Sequence, residues 1–251
     1  MNKRLPWFLV AALLTLGLIV KDIPASLAVQ KLSAQVKGLH ISGVAGTFWR
    51  GRAGSASLQW QGNVYALGEL RWTIDPWSIF GLQLCAEFST DLGKQYAKGL
   101  ACAQPDGQLE VSDAEFNGPA ALMELWLPIK TDGSLSLQVM ALSLQEEKIT
   151  SLQANASWRE ARFHNSHDWL DLGDFASRLS SDGAGGVKAD IFDLRGPVKV
   201  DLKVKMPTSA PFTVKGGIAL EDAAPKELGQ LFTALGFPQK LGQYQVDWTD
   251  G

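Results

Sequence analysis

From Leu39 onward the chain alternates apolar and polar residues with a period of two, the pattern of strands that bury one face. Ala56, Leu58 and Trp60 are interleaved with Ser55, Ser57, Gln59 and Gln61, and Leu70, Trp72 and Ile74 with Glu69, Arg71 and Thr73. Leu82, Leu84, Ala86 and Phe88 form another such row and put Cys85 on the opposite face. Leu135, Leu137 and Val139 follow, then Leu152, Ala154, Ala156 and Trp158. Val198, Val200, Leu202 and Val204 alternate with Lys199, Asp201, Lys203 and Lys205, and Tyr244, Val246 and Trp248 close the series. Turn formers punctuate these rows at Gly62-Asn63, Pro105-Asp106-Gly107, Asp132-Gly133, Asp182-Gly183, Gly196-Pro197 and Gly216-Gly217. Many short strands separated in this way predict a mainly β fold, a large, twisted antiparallel sheet. Three short helices are expected to interrupt it, at residues 120–127, about 168–179 and about 225–235, each ending near Gly or Pro.

One stretch breaks the alternation. Residues 5–20 are uncharged and predominantly apolar, directly behind Lys3 and Arg4. As a helix the stretch would be about 24 Å long, a little short of the ~30 Å hydrocarbon core; continuing to Ile23, with Lys21 snorkelling, supplies about one more turn. The basic pair places residues 1–4 in the cytoplasm, 5–23 as a single transmembrane helix, 24–38 as a periplasmic linker or helix extension, and 39–251 as the β-rich domain. Ala25-Ser26-Leu27-Ala28 offers the alternative of a cleaved signal peptide. The length of the run and the charged Lys21-Asp22 pair ahead of that site favour the anchor, and either reading exports the bulk of the chain. The segments 54–72 and 133–158 echo one another, so 39–130 and 131–251 are candidates for two similar halves.

The net charge of −3 argues against a nucleic-acid partner, which needs a basic patch. Cys85 and Cys102 are the chain's two cysteines. In an exported domain they are most simply one disulfide, with two free thiols as the alternative; no Cys-x-x-Cys and no neighbouring histidine suggests a metal or redox site. His164 and His167, beside Asp168, Asp171 and Asp174, could ligate a metal from one helix face, but Asn165-Ser166 reads as a turn leading into a helix with Asp168 near its N-cap. No Gly-x-Ser-x-Gly, His-Glu-x-x-His or phosphate-binding loop is present, and the Gly183–Gly186 stretch precedes a strand rather than a helix. No enzyme, cofactor or metal is therefore expected. The nine tryptophans are read chiefly as core, with Trp49, Trp60, Trp72, Trp77, Trp126 and Trp158 on the apolar sides of their segments; a hydrophobic groove is the alternative.

The segment Ile41-Ser42-Gly43-Val44-Ala45-Gly46-Thr47-Phe48-Trp49-Arg50-Gly51-Arg52-Ala53, followed by Leu70-Arg71-Trp72-Thr73-Ile74-Asp75-Pro76-Trp77, resembles the type II secretion system protein N family (general secretion pathway protein N). That family pairs a Gly-x-x-Gly-Thr-x-Trp-x-Gly-x-Ala stretch with a later Trp-x-x-x-Pro. The positions carried over are Gly43, Gly46, Thr47, Trp49, Gly51, Trp72 and Pro76, and the glycines make sense as a sharp connection between strands. Related Gly-Thr-x-Trp hairpins occur in envelope proteins of the AsmA type. The resemblance implies a single-pass inner-membrane protein without enzymatic activity, an accessory interaction subunit of the machine that exports folded proteins across the outer membrane. Its implied partners are the inner-membrane platform proteins or the outer-membrane secretin, together with inner-membrane lipid. The alternative is AsmA-like binding or transfer of a lipid or hydrophobic ligand along a curled sheet.

Overall fold

The computed structural model describes residues 15, 18, 20–35, 37–60, 62–125, 129–146, 148–165, 167–234, 236–240 and 242–249. Most of the expected anchor lies outside these residues, as do Trp126 and Leu127. Among the described residues no helix is long and apolar enough to cross a membrane. The chain divides into two compact units, Met1–Gly93 and Lys94–Gly251, and both are built on antiparallel strands.

In the first unit the segment expected as a linker or helix extension carries helix α1 (Ala25–Gln35). The strands β1 (Leu39–Gly46), β2 (Arg50–Trp60), β3 (Asn63–Asp75) and β4 (Leu84–Leu92) form a meander in sequence order. Its tightest interior positions are small, with Ala25, Ala53 and Ala56 almost fully buried alongside Ile74 and Cys85. A 3-10 turn, Pro76–Gly81, joins β3 to β4. The expected β4 row loses its first member: Leu82 stands outside the strand, capping that turn in the left-handed conformation.

The second unit continues as β5 (Gln95–Ala103), β6 (Leu109–Pro119), β7 (Thr131–Gln145), β8 (Lys148–His164), β9 (Trp169–Ser181), β10 (Val187–Arg195), β11 (Val198–Met206) and β12 (Thr213–Leu220). Helix α2 (Lys226–Ala234) then leads to the two-residue β13 (Gln239–Lys240) and to β14 (Gln243–Thr249), which returns to pair with β12. The helix expected at 120–127 is a 3-10 turn, Ala120–Leu125, tied down by the buried Thr131, whose hydroxyl donates to the Ala120 carbonyl at 2.8 Å.

The helix expected at 168–179 is strand β9, hydrogen-bonded to β8 on one side and β10 on the other. The reason is a bulge at Gly173. There φ is +101°, and a side chain would strike the Arg195 carbonyl. Leu170 and Leu172 belong to the apolar face before the bulge, Phe175 and Leu179 after it; the change of phase imitates a helical period. Two expected turns are likewise strand interiors. Asp132-Gly133 lies in β7 and Gly216-Gly217 in β12, with Gly133 at φ +110° and Gly216 at +149°, each against a neighbouring strand's carbonyl.

Helix α2 covers part of the apolar face of this unit. Leu228 is completely buried among Leu170, Val198, Ile218, Tyr244 and Val246, with Phe232 and Phe237 packed around them. Cys85 and Cys102 are both disulfide-bonded and, as the chain's two cysteines, pair with each other. In the chain-entropy view that closure contributes about 3 kcal/mol.

Two outcomes follow. Leu228→Ala should lower the unfolding free energy of the second unit by about 2–5 kcal/mol in denaturant titration. Intact-mass measurement without reductant should find the chain lighter than its reduced form by two hydrogens; equal masses would contradict the pairing.

Candidate functional site

The motif residues converge at the β1–β2 hairpin. Gly46 (φ +96°) ends β1, where a side chain would meet the Arg50 carbonyl closely. Thr47 closes the turn: its N–H donates to the Arg50 carbonyl at 2.8 Å, and its hydroxyl oxygen accepts the Arg50 N–H at 3.2 Å. Phe48 and Trp49 occupy the tip with their rings edge to face, centroids 5.0 Å apart. Gly43 (φ +67°) faces Gly54 across the hairpin.

Trp72 on β3 explains Gly51. Any side chain at Gly51 would overlap the Trp72 ring, and the Trp72 indole N–H donates to the Phe48 carbonyl at 3.0 Å. The Ile74 N–H donates to the Trp49 carbonyl at 2.7 Å. Pro76 starts the 3-10 turn, where its fixed φ suits the first position. The Asp75 carboxylate caps that turn by accepting the Trp77 N–H at 3.0 Å.

The hairpin tip also holds the chain where it leaves the apolar run. The Trp49 indole N–H donates to the Val20 carbonyl at 2.8 Å, and the Phe48 N–H to the Ile23 carbonyl at 2.8 Å. Pro24 and Thr47 form an antiparallel bridge. Val20, Lys21, Asp22, Thr47, Trp49, Arg50 and Pro76 thereby line one cleft of about 460 Å³. The sequence pointed to the glycines and tryptophans but not to these carbonyl partners, because a backbone acceptor carries no residue signature. A related contact recurs in the second unit, where the Trp158 indole N–H donates to the Asp132 carbonyl at 3.0 Å.

The other candidates resolve differently. His164 and His167 belong to the β8–β9 hairpin rather than to a helix: the Asn165 carboxamide oxygen accepts the N–H groups of His167 and Asp168, while the His164 ring meets Trp169 edge to face. Among the described residues no group of three His, Cys, Asp or Glu could hold a metal ion. Trp77, expected in the core, is 75% exposed. Trp72 and Trp158 are half-buried, and the Trp60 side chain lies outside the description.

The second unit carries an open groove of about 470 Å³ whose walls include Phe116, Leu135, Leu137, Trp158, Phe175 and Ile191. None of the lining side chains is charged, and Ser136, Ser157 and Ser177 are among the residues of the wall. The Ser177 hydroxyl in its wall is buried without a partner among the described residues.

The Trp49 indole bond is testable. Trp49→Phe should cost about 1 kcal/mol of stability and speed amide exchange at Val20–Ile23. Gly51→Val should be worse, by about 1–3 kcal/mol, because the ring of Trp72 must move.

The family model for type II secretion system (T2SS), protein N, matches residues 37–247, which takes in most of both units and the β1–β2 hairpin itself but not the Val20–Pro24 segment that the hairpin holds. The chain is similar to the type II secretion system protein N of Aeromonas hydrophila, 26% identical over 246 residues, 95% of this chain and 94% of that one. It is also similar to the type II secretion system protein N of Vibrio cholerae serotype O1, 26% identical over 187 residues, 70% of this chain and 71% of the relative. No solved structure matches it. Neither relative lends support to the lipid-carrier alternative. By a match that spans most of its length, the chain belongs to the type II secretion system protein N family.

Proposed function

We propose that this chain is an accessory structural subunit of the type II secretion system. It is held at the bacterial inner membrane by residues 5–23, with its N-terminus in the cytoplasm and both β units in the periplasm. The observation that carries this reading is the family match over residues 37–247, which makes the chain a secretion component. The hairpin site supports a structural role. It is assembled from glycines, indole N–H groups and backbone carbonyls, which position a chain. The subunit is not an enzyme and serves the export of folded proteins across the outer membrane.

Its contacts with the inner-membrane platform proteins or the outer-membrane secretin run through strand edges and surface loops. β1 is paired with β2 on one side only, and a strand edge of that kind can accept an added strand.

The test is in the cell. Deleting the gene should reduce the amount of a type II exoprotein in the medium, and the full chain, purified from detergent-solubilised membranes, should carry other secretion components with it. Normal secretion by the deletion strain, together with a chain that purifies alone, would contradict the proposal.

A further inference from the structure

The loop after Pro76 exposes more apolar surface than any soluble face requires. Trp77 is 75% exposed, Phe80 83% and Leu82 75%, with Ile79 about half exposed beside them. The Trp77 and Phe80 rings stack, centroids 5.9 Å apart and planes 24° from parallel. Side chains scattered singly over a surface would be ordinary; four within six residues form a patch.

The loop is also firmly built. Asp75 holds it twice, its carboxylate accepting the Trp77 N–H and its carbonyl accepting the Ser78 hydroxyl at 2.6 Å. The Ser78 oxygen in turn accepts the Cys85 N–H at 3.1 Å. Leu82 caps the turn at φ +54°, a conformation that favours glycine or asparagine. The backbone there does not call for leucine, and the side chain is left largely uncovered by its own chain. Its apolar surface is the property left to use.

The position of the loop decides what it meets. Pro76 shares a cleft with Val20, the last residue of the apolar run, and the Trp49 indole fixes the Val20 carbonyl at that end of the unit. Leu18 and Val20 are themselves exposed. Lys21 and Arg50 stand in the same cleft, with Asp22. Aromatic side chains with basic neighbours suit the membrane–water interface.

We propose that Trp77, Ile79, Phe80 and Leu82 form a second membrane contact, a foot that inserts into the outer leaflet of the bilayer crossed by residues 5–23. This inference rests on the anchor reading given above. It adds that the first unit is seated on the lipid surface and does not hang from a free tether.

Hydroxyl-radical footprinting of the full chain, reconstituted in vesicles of phosphatidylethanolamine and phosphatidylglycerol, tests it. Trp77 and Phe80 should be oxidised several-fold more slowly than Trp169, although Trp169, at 45%, is the less exposed. Quenching of tryptophan fluorescence by brominated acyl chains should fall in Trp77→Phe, a substitution that keeps the ring and the fold. Oxidation of Trp77 as fast as Trp169, with unchanged quenching in the variant, overturns the foot. Protection that arises only when other secretion components are added also overturns it and assigns the patch to a protein partner. Alkaline extraction separates this inference from the anchor: a chain washed off the vesicles contradicts the anchor, whereas a chain that resists extraction but leaves Trp77 unprotected contradicts the foot alone.

Discussion

The indole N–H of Trp49 donates to the carbonyl of Val20, and the grip of the β1–β2 hairpin on the segment Val20–Pro24 starts from that bond. The acceptor sits where a long apolar run gives way to a charged pair, so the bond fixes the direction in which the polar part of the chain departs. A flexible linker at this point would leave the β units free to turn. Here the Phe48 N–H donates to the Ile23 carbonyl, and the Pro24–Thr47 bridge extends the grip by one more residue. Each contact alone is worth about 1 kcal/mol, and three acting on Val20, Ile23 and Pro24 define a position that none could hold singly.

The hairpin can do this because of what it omits. Gly51 has no side chain where the Trp72 ring must lie, and that ring braces the tip from behind through the Phe48 carbonyl. The Trp72–Pro76 segment then turns sharply into the exposed loop, so the brace of the tether and the apolar patch are two ends of one short stretch of chain. The two parts of the family motif, which lie more than twenty residues apart in sequence, meet as a single mechanical element. The second unit contributes a sheet with a core gathered under α2 and an uncharged groove elsewhere on its face.

Much of this was legible in the sequence. The strict alternation of Val198 to Val204 with lysines and aspartate gave β11 correctly, and the glycine spacing of residues 43–51 gave the hairpin. The failures share a cause. β9 looked helical because the bulge at Gly173 shifts its buried positions by one, and Gly133 and Gly216 looked like turns because a bulge and a turn both demand glycine. Trp77 looked like core because composition cannot distinguish an apolar residue that is covered from one that is presented. The carbonyls of Val20, Ile23 and Phe48 were invisible for a simpler reason: every residue has one, and only the fold chooses which is used.

The proposed function is one of position, so the most direct measurement decouples the tether from the hairpin. A deletion strain would be complemented with the chain carrying a flexible Gly-Ser insertion between Asp22 and Ile23, and the level of a type II exoprotein in the medium measured at equal subunit abundance. Secretion should fall well below that of the strain complemented with the uninterrupted chain, although both β units remain folded and membrane-bound. Secretion indistinguishable from that of the uninterrupted chain would contradict the account.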